Sequence, residues 1–360
     1  MVNVTKSFLP AKEEFLKYVE GIWERCHLTN HGPLVFELEA KLKEYLGVRH
    51  FFFMNNGTIA LQIAIKALDL KGKIITTPFS YVATTSSIVW ENCIPVFADI
   101  KRDSFTIDPD SIEKLITPDT TAILATHVYG IPCDVKRIQQ LAEKHGLKVI
   151  YDAAHAFGVQ FDGNGLLNYG DVSSLSFHAT KLFHTIEGGG LATNDDELAH
   201  RISYMRNFGH NGQEAFFGLG INGKASEFNA AMGLSIFPHV PAIIRNRKKL
   251  CEAYDAGFAG LKGKIERPVV PPCTTYNFAY YPVVFESEEA LLRVKEALNE
   301  AGIFPRRYFY PSLNTLDYLP VRQECPVSEM ISKRTLCLPL FFEMEMELIG
   351  KINSIIQKAA

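Results

Sequence analysis

Two side chains in this sequence are placed for covalent and electrophilic chemistry, Asp152 and Lys181. Asp152 ends the apolar run Lys148-Val-Ile-Tyr-Asp152, where a lone carboxylate loses its hydration and needs a cation or strong donors. A protonated pyridine nitrogen would meet that need, and Asp152 would keep such a ring positive and electron-withdrawing. Capping of the following loop is the plainer reading, and in isolation the two weigh equally. Lys181 follows the run Ser174-Leu-Ser176-Phe-His-Ala-Thr180 within one loop. Its amine can form an imine with an aldehyde. Most lysines are solvated surface charges, but the spacing argues otherwise here. The separation of 29 positions (181 − 152) suffices for one strand–loop–strand step, which can set them on opposite sides of one ring. His155 either donates to an oxygen of that ring system or stacks on it, or is a satisfied structural histidine.

A third strand end, Asn55-Asn56-Gly57-Thr58, leads into a helical pattern. Glycine lets backbone approach an anion, and a helix N-terminus offers free N–H groups and positive dipole. A plain capped turn explains the same residues. The run Glu187-Gly-Gly-Gly190 permits a tight return into a last strand. Residues 218–223 match the dinucleotide fingerprint G-x-G-x-x-G, but they follow no strand and come late, so a glycine-rich turn before a helix is the better reading. The histidines lack ligand spacing, and no metal site is expected.

These positions require a parallel sheet, whose ligands bind beyond the carboxyl ends of its strands. Apolar runs at 50–55, 73–77, 95–99, 121–127, 148–152, 172–177 and 189–194 read as seven buried strands. Helical patterns at 58–68, 82–91, 134–145 and 195–208 alternate with them. The expected fold is α/β, with a mostly parallel seven-stranded sheet covered on both faces. Residues 1–239 form the large domain with its N-terminal segment. Residues 240–360 form a smaller α+β domain. Within the second half, a helical stretch at 227–261 breaks near Pro238 and Pro241. A strand at 278–285 and helices at 288–301 and 343–358 follow.

Composition bounds the partners. The 360 residues are 47% hydrophobic and carry a net charge of −3, with no Lys/Arg-rich run, which argues against nucleic acid or an anionic membrane. No apolar run approaches the roughly 20 residues of a membrane span, and no signal segment is visible, so the cytoplasm is expected. Seven cysteines without a C-x-x-C pair read as buried reduced thiols.

Taken together, several segments resemble the DegT/StrS family of pyridoxal-phosphate-dependent sugar aminotransferases, of fold type I. They are Leu28-Thr-Asn-His-Gly-Pro33, Asn56-Gly-Thr58, Thr77-Pro-Phe-Ser-Tyr81-Val-Ala-Thr84, Asp152-Ala-Ala-His155, Ser176-Phe-His-Ala-Thr-Lys181, Met205-Arg-Asn-Phe-Gly-His210, Gly220-Ile-Asn222-Gly-Lys224, Pro326-Val-Ser-Glu329 and Leu338-Pro339. The resemblance implies that Lys181 holds pyridoxal 5'-phosphate and shuttles a proton, and that Asp152 pairs with its ring nitrogen. His155, where many relatives have glutamine, would sit near the ring or its phenolic oxygen, and Tyr81 would stack on the ring face. Gly57, Thr58 and Ser176 would bind the phosphate, with Asn222 reaching it from a second subunit of a homodimer. Lys224 stands where many relatives carry arginine. Members with histidine in place of the lysine are dehydratases, a reading that Lys181 opposes, and the Lys181–Asp152 pair opposes a regulator without turnover.

Within the family, residues 205–210, 180–190 and 304–311 resemble the VioA type, which aminates the 4-position of dTDP-4-dehydro-6-deoxyglucose with glutamate. Amination of a 3-keto sugar is the alternative. Thr29, Arg306, Arg307 and Tyr310 are the expected substrate contacts, an arginine fork suiting a diphosphate.

Overall fold

The computed structural model describes residues 1–261, 263–319 and 322–360. Seven short strands form the central sheet: β1 (His50–Met54), β2 (Lys73–Thr76), β3 (Ile94–Phe97), β4 (Thr120–Thr126), β5 (Lys148–Asp152), β6 (Val172–Ser176) and β7 (Gly189–Thr193). Their lateral order is β1-β7-β6-β5-β4-β2-β3, and β7 alone runs antiparallel to its two neighbours. Successive side chains of a strand point to opposite faces. Ile75, Ile123, Val149 and Leu175 accordingly enter one core, and Ile74, Leu124, Ile150 and Leu191 the other. Helices Pro33–Leu46, Val135–His145 and Glu227–Ile236 cover the first face. Helices Gly57–Ala67, Val82–Trp90 and Asp196–Met205 cover the second. Burial on both faces explains why the strands read as continuous apolar runs.

The seven strands lie within a residue or two of their expected bounds. The helix expected over 195–208 ends at Met205, because Phe208 (φ 55°) and Gly209 (φ 78°) turn the chain back. Helices Lys12–Arg25, Pro33–Leu46, Pro109–Leu115 and Pro326–Arg334 were not expected. The first buries Ile22 fully and packs Phe15 and Tyr18 in part against the core, an apolar stripe at helical spacing. The second starts at Pro33, where a loop motif was read. Its first turn is held by Glu227, a fully buried carboxylate that accepts from the Leu34 and Val35 N–H groups at 3.1 and 3.0 Å. Negative charge at a helix N-terminus is favourable, and the two bonds offset the cost of burying it.

After helix Glu227–Ile236, a 3-10 turn at Phe237–His239 leads into Val240–Gly257, which gives the break expected near the two prolines. Strands Ile265–Glu266, Tyr281–Phe285 and Thr335–Leu338 make a three-stranded antiparallel sheet. Helices Val240–Gly257, Glu288–Glu300 and Met346–Ala359 enclose its own core around Leu250, Tyr254, Leu291 and Ile352. The N-terminal Val2–Asn3 pairs with Ile303–Phe304, so the first residues join this smaller unit rather than the large sheet. All seven cysteines are free, and five are buried; Cys26 and Cys273 are exposed, contrary to the expectation for buried thiols. Among the described residues, no helix is long and apolar enough to cross a membrane.

Candidate active site

The carboxyl ends of β1, β2, β4, β5 and β6 share one edge of the sheet, and antiparallel β7 begins there. A cavity of about 310 Å³ opens at that edge. At its floor, Gly57 starts the helix Gly57–Ala67, whose cap Asn56 takes the Ile59 N–H at 2.8 Å. The Gly57 and Thr58 N–H groups have no intrahelical acceptor and stand with Ser176 at the cavity. Gly189 makes this cradle possible: a Cβ there would lie 2.5 Å from the backbone of Asn56 and Gly57.

Asp152 closes β5 at 5% exposure. One carboxylate oxygen accepts from Thr84 Oγ1 at 2.7 Å and the other from the Ala154 N–H at 3.1 Å. Burial pushes its carboxyl above the usual range, and those two bonds and the Lys181 charge pull the other way. Lys181 lies in the loop between β6 and β7, and its Nζ donates to Tyr280 Oη at 3.3 Å. Burial lowers its ammonium to about 8, while Asp152, Tyr308 and Tyr81 hold it up. Both groups line the cavity, yet no ion pair joins them among the described residues. A ring has room between a carboxylate on one side and an amine on the other.

His155 lies against Phe309, with ring planes 4° apart and centroids 5.6 Å apart, and meets the Tyr280 edge at 4.8 Å. Its Nδ1 accepts the Tyr129 N–H at 3.1 Å, which places the ring proton on Nε2. Burial, and then the Lys181 charge, drive its pKa well below the ordinary value, so the ring is neutral.

The smaller unit supplies the remaining wall: Tyr280, Arg306, Tyr308 and Phe309. Arg247, itself buried, donates to the Phe278 and Ala279 carbonyls at 3.0 and 2.7 Å and fixes the segment that carries Tyr280. Asn277 ties the same segment to the large sheet through the carbonyls of His155 and Phe157, at 2.8 and 3.0 Å.

The structure therefore brings Gly57, Thr58, Tyr81, Asp152, His155, Ser176, Lys181 and Arg306 to one cavity. It does not bring Thr29, Asn222, Arg307 or Tyr310 there. Arg307 is held by Glu288 at 2.6 Å and the Lys333 carbonyl at 3.0 Å, and its guanidinium covers the Tyr310 ring at 3.6 Å. Arg307 Nη2 is thus engaged within the chain and its guanidinium stacked, and neither Arg307 nor Tyr310 lines the cavity. Thr29 and Asn222 are exposed elsewhere on the chain. Tyr280, Tyr308 and Thr84 were missed as site residues. Thr84 sits inside a motif read for its tyrosine, whereas Tyr280 looked like one more apolar strand position.

The cavity has the features that a phosphorylated pyridine aldehyde requires: an anion cradle, an uncompensated carboxylate and a low-pKa amine. A parallel α/β sheet with such a pair at its carboxyl edge is the arrangement of a fold type I aminotransferase, and comparison with known proteins bears out that class. The chain belongs to the DegT/DnrJ/EryC1/StrS aminotransferase family, whose model matches residues 10–357. It is 43% identical to a dTDP-4-amino-4,6-dideoxy-D-glucose transaminase of Shigella dysenteriae, over 99% of this chain and 98% of that one. It is 38% identical to an Escherichia coli protein of the same name, over 99% and 98% of the two chains. The crystal structure of DesI in the presence of its TDP-sugar product superposes with a TM-score of 0.94, at 30% identity over 99% of this chain and 92% of that one.

In the cofactor-free protein, Lys181 becomes a nucleophile as it loses its proton near pH 8. Its rate of aldehyde capture should climb through that pH and level off above it. Because Asp152 raises the lysine pKa, Asp152→Asn should move the midpoint to lower pH. Stopped-flow absorbance measures both. A wild-type midpoint near the ordinary lysine value of about 10, or one that the substitution leaves in place, would contradict this electrostatic account.

Proposed function

We propose that this aminotransferase uses pyridoxal 5'-phosphate to move the amino group of L-glutamate to the 4-keto carbon of a dTDP-linked 4-keto-6-deoxyhexose, dTDP-4-dehydro-6-deoxyglucose. The observation that carries the cofactor reading is that buried Asp152 and half-buried Lys181 line a single cavity with no ion pair between them among the described residues. When bound, the cofactor supplies a carbonyl for amines and a ring that takes up the electrons of a deprotonated carbon. The sugar and the position of amination follow from similarity to the two transaminases above.

Each residue then has a task. The Gly57 and Thr58 N–H groups and the Ser176 hydroxyl hold the phosphate. Asp152 keeps the ring nitrogen protonated, and His155 offers its Nε2–H to an oxygen on the ring. Tyr81, at the cap of helix Val82–Trp90, covers the ring face. Lys181, with a pKa of about 8, carries a proton to and from the reacting carbon near neutral pH, and Tyr280 Oη steadies its amine. Arg306 is exposed at the cavity wall with its guanidinium in no ion pair among the described residues, which suits it to the diphosphate or the donor carboxylate. The seven free thiols fit a reducing compartment such as the cytoplasm.

The functional unit in this reading is a homodimer with shared sites. Asn222 accepts from its own Lys224 at 2.8 Å, which leaves its amide N–H groups to donate to the neighbour's phosphate. Mixing Asn222→Ala with Lys181→Ala subunits should restore activity well above either parent, since one site of the hybrid keeps both groups. No restoration despite demonstrated exchange would remove the shared site.

The position of amination is tested by competition. A 3-keto sugar nucleotide presents its carbonyl one carbon away. With the diphosphate held, a misplacement of about 1 Å costs roughly 100-fold. Given both acceptors at equal concentration with glutamate, the enzyme should place the new amine at carbon 4 by NMR. An amine mainly at carbon 3 would overturn the 4-amination reading and leave the transaminase intact.

A further inference from the structure

Beside Asp152 runs a row of three buried hydroxyls, two of them (Ser80 and Thr126) on residues that also line the cavity, to which the reaction as described gives no task. Thr84 Oγ1 donates to Asp152 Oδ2 at 2.7 Å, Ser80 Oγ lies 2.8 Å from Thr84 Oγ1, and Thr126 Oγ1 lies 3.1 Å from Ser80 Oγ. All three are at most 2% exposed. They come from three elements, namely the loop after β2, the first turn of helix Val82–Trp90 and the end of β4.

Each hydroxyl has one proton to give, and an ionised carboxylate can only accept. The Thr84 proton is therefore committed to Asp152, and the Thr84 oxygen must accept from Ser80. The Ser80 proton is thereby committed in turn, and Ser80 accepts from Thr126. One charge at the end of the row sets the direction of every bond in it. Successive bonds of one sense polarise each other, by about 10–30% per bond.

We propose that Thr126, Ser80 and Thr84 form a one-way hydroxyl relay that keeps Asp152 ionised and aimed into the cavity, with Thr84 as the positioning residue. The Ala154 N–H fixes the second carboxylate oxygen, so the two anchors together set the plane of the carboxylate. The other titratable groups at the cavity beside it are Lys181 and the neutral His155. The His127 backbone N–H donates to the Asp152 carbonyl at 3.0 Å, and its ring is turned onto Tyr151, away from the carboxylate. Thr84 and the Ala154 N–H are thus the direct donors to the carboxylate, and burial opposes them. The catalytic meaning of the relay rests on the cofactor reading above; its effect on Asp152 does not.

The experiment replaces Thr84 with Val, a near-isostere without the donor, and with Ser, which keeps it. Ser80→Ala removes the next bond without touching Asp152. The first readout is 13C NMR titration of the Asp152 carboxyl carbon in the cofactor-free protein. The second is the 15N shift of the ring nitrogen in protein loaded with labelled pyridoxal phosphate, alongside kcat. Thr84→Val should move the carboxyl titration to higher pH, shift the ring nitrogen toward its unprotonated value and lower kcat roughly 10- to 100-fold, as expected for a bond to a charged group. Thr84→Ser should stay near wild type, and Ser80→Ala should move both spectra the same way by less. A folded Thr84→Val with an unmoved carboxyl titration overturns the relay. If that variant does not fold, an unmoved titration in Ser80→Ala overturns it instead. If Thr84→Val moves the carboxyl titration while the wild-type protein binds no pyridoxal phosphate, the cofactor reading falls and the relay stands.

Discussion

A carboxylate at the end of a buried strand is costly unless donors or a cation meet it, and Asp152 is in that position by construction of the sheet. Its two hydrogen-bond donors leave its charge uncompensated, and the cation nearest in function, Lys181, is held away on Tyr280. Burial therefore drives the two groups in the directions that bring each nearer to neutrality. A ring with a protonated nitrogen relieves one, and a carbonyl consumes the other. The cavity is thus electrostatically incomplete, and in the proposed function the cofactor completes it.

The rest of the architecture keeps that arrangement in place. Parallel strands bring Asn56, Thr126, Asp152 and Ser176 to one edge. The single antiparallel strand β7 returns the chain across that edge, so the loop carrying Lys181 must lie over it. Gly189 lets that return pass against the helix N-terminus at a distance that no side chain permits. The smaller unit closes the opposite wall, and Arg247 and Asn277 fasten its Tyr280 segment by bonds to carbonyls on both units.

Much of this was legible in the order of residues. Strands buried on both faces announce themselves as apolar runs, and polar residues at their ends stand out against them. Asp152, Lys181 and the Asn56-Gly57-Thr58 turn were found in that way, and the fold class followed from the strand–helix alternation. What escaped lies where sequence distance hides contact. Tyr280 meets Lys181 across 99 residues, and Arg247 bonds to carbonyls 31 and 32 residues further on. The Arg306-Arg307 pair looked equivalent, yet Glu288, 19 residues away, occupies one and leaves the other open to the cavity. The helix at Lys12–Arg25 was legible in principle, since Phe15, Tyr18, Val19 and Ile22 recur at helical spacing.

The central claim is that Lys181, and no other lysine, meets the cofactor carbonyl opposite Asp152. Borohydride reduction of protein loaded with pyridoxal phosphate, followed by peptide mapping, tests it most directly. The account predicts that the added mass falls on the peptide containing Lys181 and vanishes in Lys181→Ala. A stable adduct on a different lysine in the native protein, with Lys181 unmodified, would contradict it.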